Sequence, residues 1–374
     1  MNSTDQGKNY GIVKLYCGAS GKSGYYNSQE VGLARSLKKR GYAVFIFYPE
    51  LSGKELREEI VDEGICAVFC PAKAIGVHSK FDWNILLSYQ LDVVQVGSDN
   101  QIFAPDILRF CDKHGIAVYS LIGTVASDSS NRIKRILMKL LFLRNASAYR
   151  KHMNFAKTTS VRDELLRLRV KQVEFAPVGL DLSVIPQQTR SKEELRAEKD
   201  LSKTSTIVLF VGRMEEYKRP LKMLKLMKSL PSGFVGIMIG DGALSAAIDD
   251  RIRELNLESS VIRIKAVPNT EIHDYYELAD YVVNFNENEI FGMNLLEAIY
   301  HGCTTVAIRA PGPDNIIKDG KTGYLVDDVE EMKEIILNRP QLDKDELRLH
   351  IMNNFPWERT AQIIDHWAGK ERNE

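Results

Sequence analysis

The chain has 374 residues, and its 50 Lys and Arg balance its 50 Asp and Glu, which gives a formal net charge of zero. Hydrophobic residues make up 44% of the chain and only 12 residues are proline, so the composition excludes a disordered, collagen-like or low-complexity protein. The length favours two domains, and no nucleic-acid partner is expected.

The charge is nonetheless distributed unevenly along the chain. Residues 1–190 contain 26 basic and 18 acidic residues, whereas residues 191–374 contain 24 basic and 32 acidic residues. A basic half is typical of a protein with an anionic partner, such as a phosphate-bearing lipid. An uneven surface charge without any partner is the alternative that the pattern leaves open.

The cysteines indicate a reducing compartment. Five are present, in apolar stretches and without the paired spacing of a zinc ribbon: Cys17, Cys66, Cys70, Cys111 and Cys303. We expect buried thiols, and a metal site at Cys66 and Cys70 is the alternative. The first ten residues lack the apolar segment of a signal peptide, and no apolar run reaches the roughly 18 residues of a spanning helix, which predicts a cytoplasmic protein.

Short apolar runs alternate with amphipathic segments along the first half of the chain. This alternation is typical of parallel sheets with helical crossovers. The predicted strands are 11–16, 43–48, 67–70, 93–96 and 117–122, and the clearest predicted helices are 27–40 and 102–114.

The same alternation restarts after Pro177. The predicted strands there are 207–211, 235–239, 261–264, 281–284, 304–308 and 324–326, and the predicted helices are 220–229, 243–256, 270–279 and 292–300. The chain is therefore predicted to be an α/β protein with two tandem Rossmann-like domains.

The joint between the domains is predicted within residues 177–194, where Pro177, Gly179 and Pro186 interrupt the periodicity. The predicted domains are residues 1–180 and 181–355, facing each other across a cleft. Ligands of such sheets bind beyond the carboxyl ends of the strands, so we expect the functional site in that cleft.

A cationic segment follows the predicted strand 207–211. Gly212 and Arg213 come first, and Lys218 and Arg219 stand just before a helix that begins at Pro220. Cations at the carboxyl end of a strand and beside a helix N-terminus suit a diphosphate, whereas solvated charges without a ligand are the alternative. The next strand runs into the Gly-Asp-Gly turn 240–242, which permits close backbone approach but is weak evidence by itself.

Residues 289–303 hold two carboxylates eight positions apart. Because Gly292 opens the predicted helix, Glu289 falls in the preceding loop and Glu297 lies within the helix. The N–H groups of Gly292, Met293 and Asn294 are predicted to form an anion site at the helix N-terminus. An amphipathic helix whose glutamates face water is the alternative.

In order along the chain, the motifs resemble those of the family 4 retaining glycosyltransferases, which have the GT-B fold. Four features match: Val-Gly-Arg with a following Lys, the Gly-Asp-Gly turn, two glutamates separated by seven residues with Phe-Gly between them, and Phe-Pro-Trp at 355–357. Residues 24–47 also resemble the family's opening loop, helix and second strand. The resemblance covers nearly the whole chain and is specific in the C-terminal half.

The resemblance implies a role for each matching residue. Arg213 and Lys218 would hold the donor diphosphate, Glu289 would contact hydroxyls of the transferred sugar, and these three would form the catalytic set. Glu297 would bind the ribose. The implied donor-binding set is Gly24, Arg213, Lys218, Phe291, Gly292, Met293, Asn294 and Glu297. The C-terminal helix, residues 356–374, would return to the first domain.

One family feature is missing. Members often carry His in the regions that correspond to residues 93–100 and 119–129, but this chain has Gln95, Gly97, Ile122 and Gly123 there. His78 and His114 are alternatives, although a His in a turn or at a helix end is typically structural or solvated. The polar residues 127–130, Ser-Asp-Ser-Ser, are expected to contact acceptor or donor.

The resemblance implies retaining transfer of a hexose-type sugar from a nucleoside diphosphate, commonly UDP, to a glycan or lipid-linked acceptor in polysaccharide or glycoconjugate assembly. In the implied front-face mechanism the donor phosphate takes the acceptor proton, so no metal and no cofactor are expected. A catalytically silent GT-B partner subunit and a sugar-nucleotide epimerase are the alternatives. The retained donor residues argue against the first, and the lack of clustered acid and base residues argues against the second.

Residues 131–151 are predicted to form a basic helix with seven Lys and Arg and no Asp or Glu. The apolar residues available to one side of it are Ile133, Ile136, Leu137, Leu140, Leu141 and Phe142. A helix of this kind can lie on an anionic membrane surface, or it can pack its apolar side on the sheet. The sequence leaves both open.

Overall fold

The computed structural model describes residues 8–17, 25, 28–125, 132–340 and 342–371. It divides the chain into two compact units, one formed by residues 1–179 with 357–374 and the other by residues 180–356. Each unit has its own sheet, flanked by helices. Among the described helices, none has the length and apolarity that crossing a membrane requires.

The sheet of the N-terminal unit is mostly parallel. Its described strands are β1 (Lys8–Lys14), β2 (Tyr42–Glu50), β3 (Arg57–Asp62), β4 (Ile65–Ile75), β5 (His78–Phe81), β6 (Val93–Gly97), β7 (Ala117–Ile122), β8 (Met153–Ala156) and β9 (Val173–Phe175). Its described helices before residue 180 are α1 (Gln29–Lys38), α2 (Ala104–Lys113), α3 (Arg132–Tyr149) and α4 (Thr159–Arg167), with a 3-10 helix at Trp83–Tyr89. The spatial order is β3-β4-β2-β1-β6-β7-β8-β9, and β5 pairs with β4.

Two strands of this unit differ from the predicted all-parallel pattern. β3 and β5 each run antiparallel to β4. β3 lies at the edge of the sheet and its sequence, REEIVD, has no buried position, so the apolar runs that mark the buried strands are missing from it. A strand of this kind gives no signal in a pattern that depends on burial.

The sheet of the C-terminal unit is entirely parallel. Its described strands are β10 (Thr206–Val211), β11 (Phe234–Ile239), β12 (Val261–Ile264), β13 (Tyr281–Asn284), β14 (Thr304–Ile308) and β15 (Tyr324–Val326). Its described α-helices are α5 (Lys192–Glu198), α6 (Pro220–Ser229), α7 (Ser245–Glu254), α8 (Ile272–Leu278), α9 (Met293–Tyr300), α10 (Pro311–Ile316), α11 (Val329–Asn338) and α12 (Lys344–Asn354). The spatial order is β12-β11-β10-β13-β14-β15.

Both faces of this second sheet are buried, which explains its uninterrupted apolar strands. Val208 and Phe210 belong to one apolar cluster, whereas the alternating Ile207 and Leu209 belong to another. Successive side chains of a strand point to opposite faces, so the two clusters are the cores on the two sides of the sheet. Helices from both sides complete them.

The last described helix, α13 (Trp357–Glu371), belongs to the N-terminal unit and packs on α1. Gly32 of α1 allows the two helices to approach closely, since a Cβ at this position would lie only 2.2 Å from Nε1 of Trp357. Thr360 also donates a hydrogen bond to the carbonyl of Pro177, at 2.5 Å. The N-terminal unit is therefore built from two separate stretches of chain.

Candidate active site

The predicted site residues of the C-terminal unit follow two strands, β10 and β13. These strands are neighbours in the sheet, with Val208 opposite Tyr281, although β11 and β12 lie between them in sequence. From this point β11 and β12 extend to one side of the sheet, and β14 and β15 extend to the other. A reversal of this kind opens a crevice at the carboxyl edge of the sheet, where doubly wound sheets bind ligands.

The loop after β10 supplies two cations that share one aromatic ring. Exposed Arg213 donates two hydrogen bonds to the Tyr217 hydroxyl, at 3.1 Å from Nε and 2.7 Å from Nη2. Its guanidinium lies 5.2 Å from the centroid of the Tyr217 ring, and Nζ of Lys218 lies 5.3 Å from the same centroid. Tyr217 is absent from the predicted site; the signal for it is an aromatic residue standing between the two predicted cations.

The Gly-Asp-Gly turn has a structural reason for its glycines. Gly240 has φ +137°, and a Cβ on it would lie 2.0 Å from the carbonyl oxygen of Gly212. A Cβ on Gly242 would lie 2.6 Å from the carbonyl oxygen of Met214, whose own N–H donates to Asp241 at 3.0 Å. The turn therefore packs directly on the backbone that carries Arg213, and only glycine allows that approach.

The loop after β13 is shaped by the side chains of two asparagines, Asn284 and Asn286. The Asn284 side chain accepts from the N–H of Asn286 at 2.9 Å, and the Asn286 side chain accepts from the N–H of Asn288 at 3.0 Å. The N–H of Glu289 donates to the carbonyl of Asn286 at 3.2 Å, and the Asn284 amide donates to Glu289 Oε2 at 3.2 Å. Such side-chain turns fix the loop and aim the Glu289 carboxylate.

An ion pair joins the two loops. Nζ of Lys218 lies 2.5 Å from Oε2 of Glu289, and their side chains are only 19% and 11% exposed. The structure thus brings together two predicted catalytic residues from different strand ends. Because both side chains are so little exposed to solvent, removal of one partner would leave the other as a buried charge without an opposite charge, which is strongly destabilising.

The N-terminus of α9 lies directly after Glu289. Gly292 precedes the helix with φ +95°, a left-handed conformation that favours glycine. Within the described part of the chain, the N–H groups of Phe291, Gly292, Met293 and Asn294 have no hydrogen-bond acceptor. The Asn294 side chain donates to the carbonyl of Val211 at 3.2 Å, which ties α9 to the end of β10. These amides and the helix dipole favour an anion here.

The second carboxylate, Glu297, points to a buried tyrosine. The Tyr276 hydroxyl donates to Glu297 Oε2 at 2.8 Å. Glu289 and Glu297 are each 8% exposed, so the alternative in which both glutamates face water is wrong. The buried Tyr276 comes from α8 and is a second site residue that the sequence analysis missed.

The ring of Tyr276 packs against a pair of histidines, His301 and His273. The ring of Tyr276 stacks on His301 with centroids 5.9 Å apart, and His301 contacts Glu277 at 3.2 Å and His273 at 2.8 Å. Burial, together with the neighbouring His301, lowers the pKa of His273 to about 4, so His273 is neutral at physiological pH. The hydrogen bonds are satisfied when His301 donates to Glu277 and accepts from His273. This arrangement fixes the orientation of the Tyr276 ring.

A cavity of about 150 Å³, lined by apolar side chains and by charged and amide groups, lies within the N-terminal unit; we call it the polar cavity after its ion pairs. It is at the carboxyl edge of the sheet, where β1 and β6 are neighbours and the strand order reverses again. Two ion pairs line it, Lys14 with Glu30 at 2.9 Å and Lys157 with Asp99 at 3.5 Å. Burial raises the pKa of Glu30, but the ion pair with Lys14 outweighs burial and lowers this pKa to about 2.

The positions at which the family His was sought belong to the same cavity region. Gln95 lines the cavity and accepts from the Tyr119 hydroxyl at 2.5 Å. The N–H of Gly123 donates to Asp99 at 2.5 Å, and a Cβ on Gly123 would lie 2.9 Å from the Lys157 side chain. A side chain as large as His therefore does not fit at Gly123 while the Lys157–Asp99 pair is present.

Of the remaining candidate residues, His78 contacts a residue that lines the cavity, His114 lies apart from it, and the others fall outside the described part of the chain. His78 contacts the Gln101 side chain at 3.0 Å, and His114 is an exposed residue at the end of α2. Gly24 and residues 127–130 fall outside the described residues. Their predicted contacts with donor or acceptor stay predictions.

Four of the five thiols lie in the core as expected, and Cys17 does not. Cys66, Cys70, Cys111 and Cys303 are buried and free, and Cys17 is half-buried and free. Burial raises the pKa of Cys70 to about 12, so it stays protonated. Among the residues that the structure describes, no group of three or more His, Cys, Asp or Glu side chains could hold a metal ion.

Sequence comparison relates about half of the chain to known proteins. Residues 191–352 match a family described as glycosyl transferases group 1. A D-inositol 3-phosphate glycosyltransferase of Paenarthrobacter aurescens is 31% identical over 226 residues, 56% of this chain and 55% of that protein. One from Corynebacterium kroppenstedtii is 28% identical over 196 residues, 48% of this chain and 44% of that protein. The chain spans about half the length of the curated relatives it matches.

Structural similarity extends over nearly the whole chain. Sucrose-phosphate synthase from Thermosynechococcus elongatus superposes with a TM-score of 0.80 at 15% identity, covering 97% of this chain and 98% of that one. Anabaena HepE in complex with UDP and glucose gives a TM-score of 0.73 at 14% identity, covering 97% and 100%. At such identities the likeness shows the fold alone. Both neighbours have the GT-B fold, so the predicted fold class is confirmed.

Proposed function

We propose that this chain, a GT-B protein whose residues 191–352 match the glycosyl transferases group 1 family, transfers a hexose-type sugar from a nucleoside diphosphate to an acceptor hydroxyl. One observation carries the proposal. Lys218 and buried Glu289, from the ends of the neighbouring strands β10 and β13, form an ion pair directly before the N-terminus of α9; Arg213 comes from the same loop as Lys218, and buried Glu297 lies in α9 itself. That set can bind a diphosphate, a ribose and a sugar in one place.

The donor fits the site in a definite order. The diphosphate takes Arg213, Lys218 and the amides of α9, because these are the groups with positive charge or unpaired N–H donors among the described residues of the site. Glu297 receives the ribose hydroxyls, and Glu289 receives hydroxyls of the sugar. Since HepE is known in complex with UDP-glucose, a UDP-hexose is our proposed donor.

Donor binding has to break the Lys218–Glu289 ion pair, because Lys218 then binds the diphosphate and Glu289 binds the sugar. Each partner is nearly buried, so neither charge can simply turn to water. A nucleotide sugar supplies a phosphate for Lys218 and hydroxyl donors for Glu289 in the same molecule. The ion pair is thus replaced by two new interactions, one for each side chain, so neither buried charge is left without a partner.

The proposed chemistry is retaining and needs little from the protein beyond position and charge. The leaving diphosphate gains negative charge as the sugar bond breaks, and Arg213, Lys218 and the α9 amides stabilise that charge. The leaving phosphate oxygen takes the proton of the acceptor hydroxyl. A protein base is therefore not required where the family His is missing.

The acceptor site is proposed for the polar cavity of the N-terminal unit. Its ion pairs and the buried Gln95 can hydrogen-bond hydroxyl groups, and its lysines can attract an anionic group such as a phosphate. Relatives named for D-inositol 3-phosphate favour a polyol or its phosphate as the acceptor head, either free or in a glycan or lipid-linked acceptor. The free thiols favour the cytoplasm as the place of reaction.

Glu297→Ala is expected to weaken UDP binding about tenfold or more, because it removes the proposed ribose acceptor. Tyr276→Phe keeps the carboxylate but removes the hydrogen bond that aims it, so we expect a smaller loss of about threefold to tenfold, of the order of one neutral hydrogen bond. Isothermal titration with UDP measures both. Glu277→Gln is the control, because Glu277 contacts His301 and not Glu297, so this substitution changes only the histidine network next to Tyr276. UDP binding of Glu297→Ala equal to that of the parent would refute the ribose assignment.

Activity is expected to survive EDTA, since cations and helix amides occupy the place that a metal takes in metal-dependent transferases. UDP release is measured with EDTA and with added manganese, alongside a manganese-dependent glycosyltransferase as the positive control for chelation. Activity that EDTA abolishes and manganese restores would show that a divalent ion belongs in the site.

A screen of nucleotide sugars tests the proposed function as a whole. The purified chain is incubated with UDP-, GDP- and ADP-hexoses, with polyols, polyol phosphates or lipid-linked acceptors, and free nucleoside diphosphate and glycosylated product are measured. Product formation supports the transfer. UDP binding without product from any acceptor would favour a silent partner subunit, and conversion of the sugar without its release would favour an epimerase.

A further inference from the structure

Helix α3 is apolar on two opposite sides. Its inward side packs into the core of the N-terminal unit through Phe142, Ala146 and Tyr149, which are at most 3% exposed. Five other residues, which we call the outer stripe, are 43–69% exposed: Ile133, Ile136, Leu137, Leu140 and Leu143. Spacings of three and four residues place the outer stripe on one side, opposite the inward residues. Of the six apolar residues that the sequence offers for packing on the sheet, Phe142 is buried and Leu141 is half-buried, whereas the other four are exposed and belong to the outer stripe.

The charges of α3 have one sign. The helix contains five Lys and Arg and no Asp or Glu. Arg132, Lys139 and Arg144 are exposed beside the outer stripe. A helix that presents a row of apolar side chains among cations matches the composition of helices that lie in the headgroup region of anionic membranes.

A second exposed apolar element comes from the β4–β5 hairpin. Ile75 and Val77, on either side of Gly76 at its turn, are 61% and 42% exposed. Lys73 and Lys80 flank them and are also exposed. The hairpin tip therefore resembles the outer stripe in composition, because both present exposed apolar side chains next to cationic ones.

The two elements lie on either side of one short segment. The Asn100 side chain donates to the carbonyl of Met138 in α3 at 2.8 Å, and Asn145 of α3 donates to the carbonyl of Gln101 at 2.8 Å. The Gln101 side chain contacts His78, at the start of β5, at 3.0 Å. One residue thus joins helix and hairpin, so both belong to the same edge of the N-terminal unit.

We propose that this edge docks on an anionic lipid bilayer, with the outer stripe and the hairpin tip inserted among the headgroups. Lipid is favoured over a protein partner because every charge of α3 is positive and because both elements combine aliphatic side chains with lysine or arginine. Gln101 and Tyr16 also line the polar cavity of the same unit. Only the corollary that a membrane-bound acceptor reaches this cavity rests on the proposed function; the docking itself does not.

Vesicle sedimentation with the full chain tests the docking without any assay of activity. At low salt we expect binding to vesicles that contain phosphatidylglycerol and little binding to pure phosphatidylcholine. The double variant Leu137→Gln, Leu140→Gln should bind at least about tenfold more weakly, since affinity scales with the apolar area inserted. Arg132→Gln and Lys139→Gln should each cost about fivefold.

The matched control is Leu349→Gln with Met352→Gln on α12 of the other unit. These residues have the same spacing of three and are 53% and 42% exposed, and Gln is nearly as good a helix former as Leu and Met. Equal recovery of the parent in the supernatant with both lipids, or equal binding of the α3 variant and the control, would overturn the proposal. A dimer in sedimentation velocity that only the α3 variant dissociates would overturn it too, because a second copy would then cover the outer stripe.

Discussion

Glu289→Gln is expected to lower kcat about a hundredfold without weakening UDP binding, because the lost charge acts on the reacting sugar and its loss frees Lys218 for the diphosphate. The substitution keeps the size of the side chain and its place beside Asn284 and Lys218. What changes is the carboxylate charge that faces the sugar ring as it becomes cationic. Turnover is measured with saturating donor, and the Kd for UDP is measured by calorimetry.

Glu287→Gln is the matched control for that experiment. Glu287 belongs to the same loop, two residues earlier, but its side chain is 44% exposed and pairs with Lys222 at 2.6 Å. Loss of one loop carboxylate without contact to the sugar should leave kcat nearly unchanged. If Glu289→Gln and Glu287→Gln have the same kcat, Glu289 does not act on the sugar.

The double variant Arg213→Ala, Lys218→Ala is expected to lose at least about a hundredfold in kcat/KM. Each cation is expected to supply at least about 1.4 kcal/mol to the leaving diphosphate, which is a factor of ten. Charge-assisted hydrogen bonds are typically worth about 1.5–3 kcal/mol each, so this is a lower bound. Single-turnover rates with UDP-hexose show whether the loss falls on the bond-breaking step.

The two single variants separate a catalytic effect from a folding effect. Lys218→Ala leaves Glu289 nearly buried and unpaired, so we expect it to lower the thermal midpoint as well as activity. Arg213 is exposed and bonded only to Tyr217 among the described residues, so Arg213→Ala should lose activity with little change in stability. Lys225→Ala, which removes a 67% exposed cation of the same unit, is the control. Parent-like kinetics in a folded double variant would exclude the diphosphate site.

The strands could be predicted well where burial alone determines them. The predicted strands 261–264, 281–284, 304–308 and 324–326 coincide with β12 to β15, because buried parallel strands are short apolar runs that end where the chain turns polar. Helix α5 was not predicted although Ser191 and Glu194 form a complete capping box that marks its start. The helix has seven residues, too few for a helical period to be visible.

The site could be predicted in its parts but not in its contacts. Motif and position gave Lys218 at the end of one strand and Glu289 at the end of another, and the sheet order brings these ends together. The ion pair between them joins residues 71 positions apart, and no local pattern reports such a contact. Tyr276 was missed for the same reason, since its hydroxyl reaches Glu297 from a different helix.

The divided N-terminal unit has a consequence for how the chain folds during synthesis. Its last helix, α13, packs on α1, more than 300 residues earlier, whereas residues 180–356 form a unit of continuous sequence. The ribosome synthesises the N-terminal part first, but the N-terminal unit cannot be completed until α13 has been made. Until then the surface of α1 around Gly32 stays exposed to solvent. The continuous unit can complete its core earlier. Contacts of such high sequence separation also form slowly, so we expect the docking of α13 to be the late step of refolding and the stage at which chaperones or proteases meet the chain.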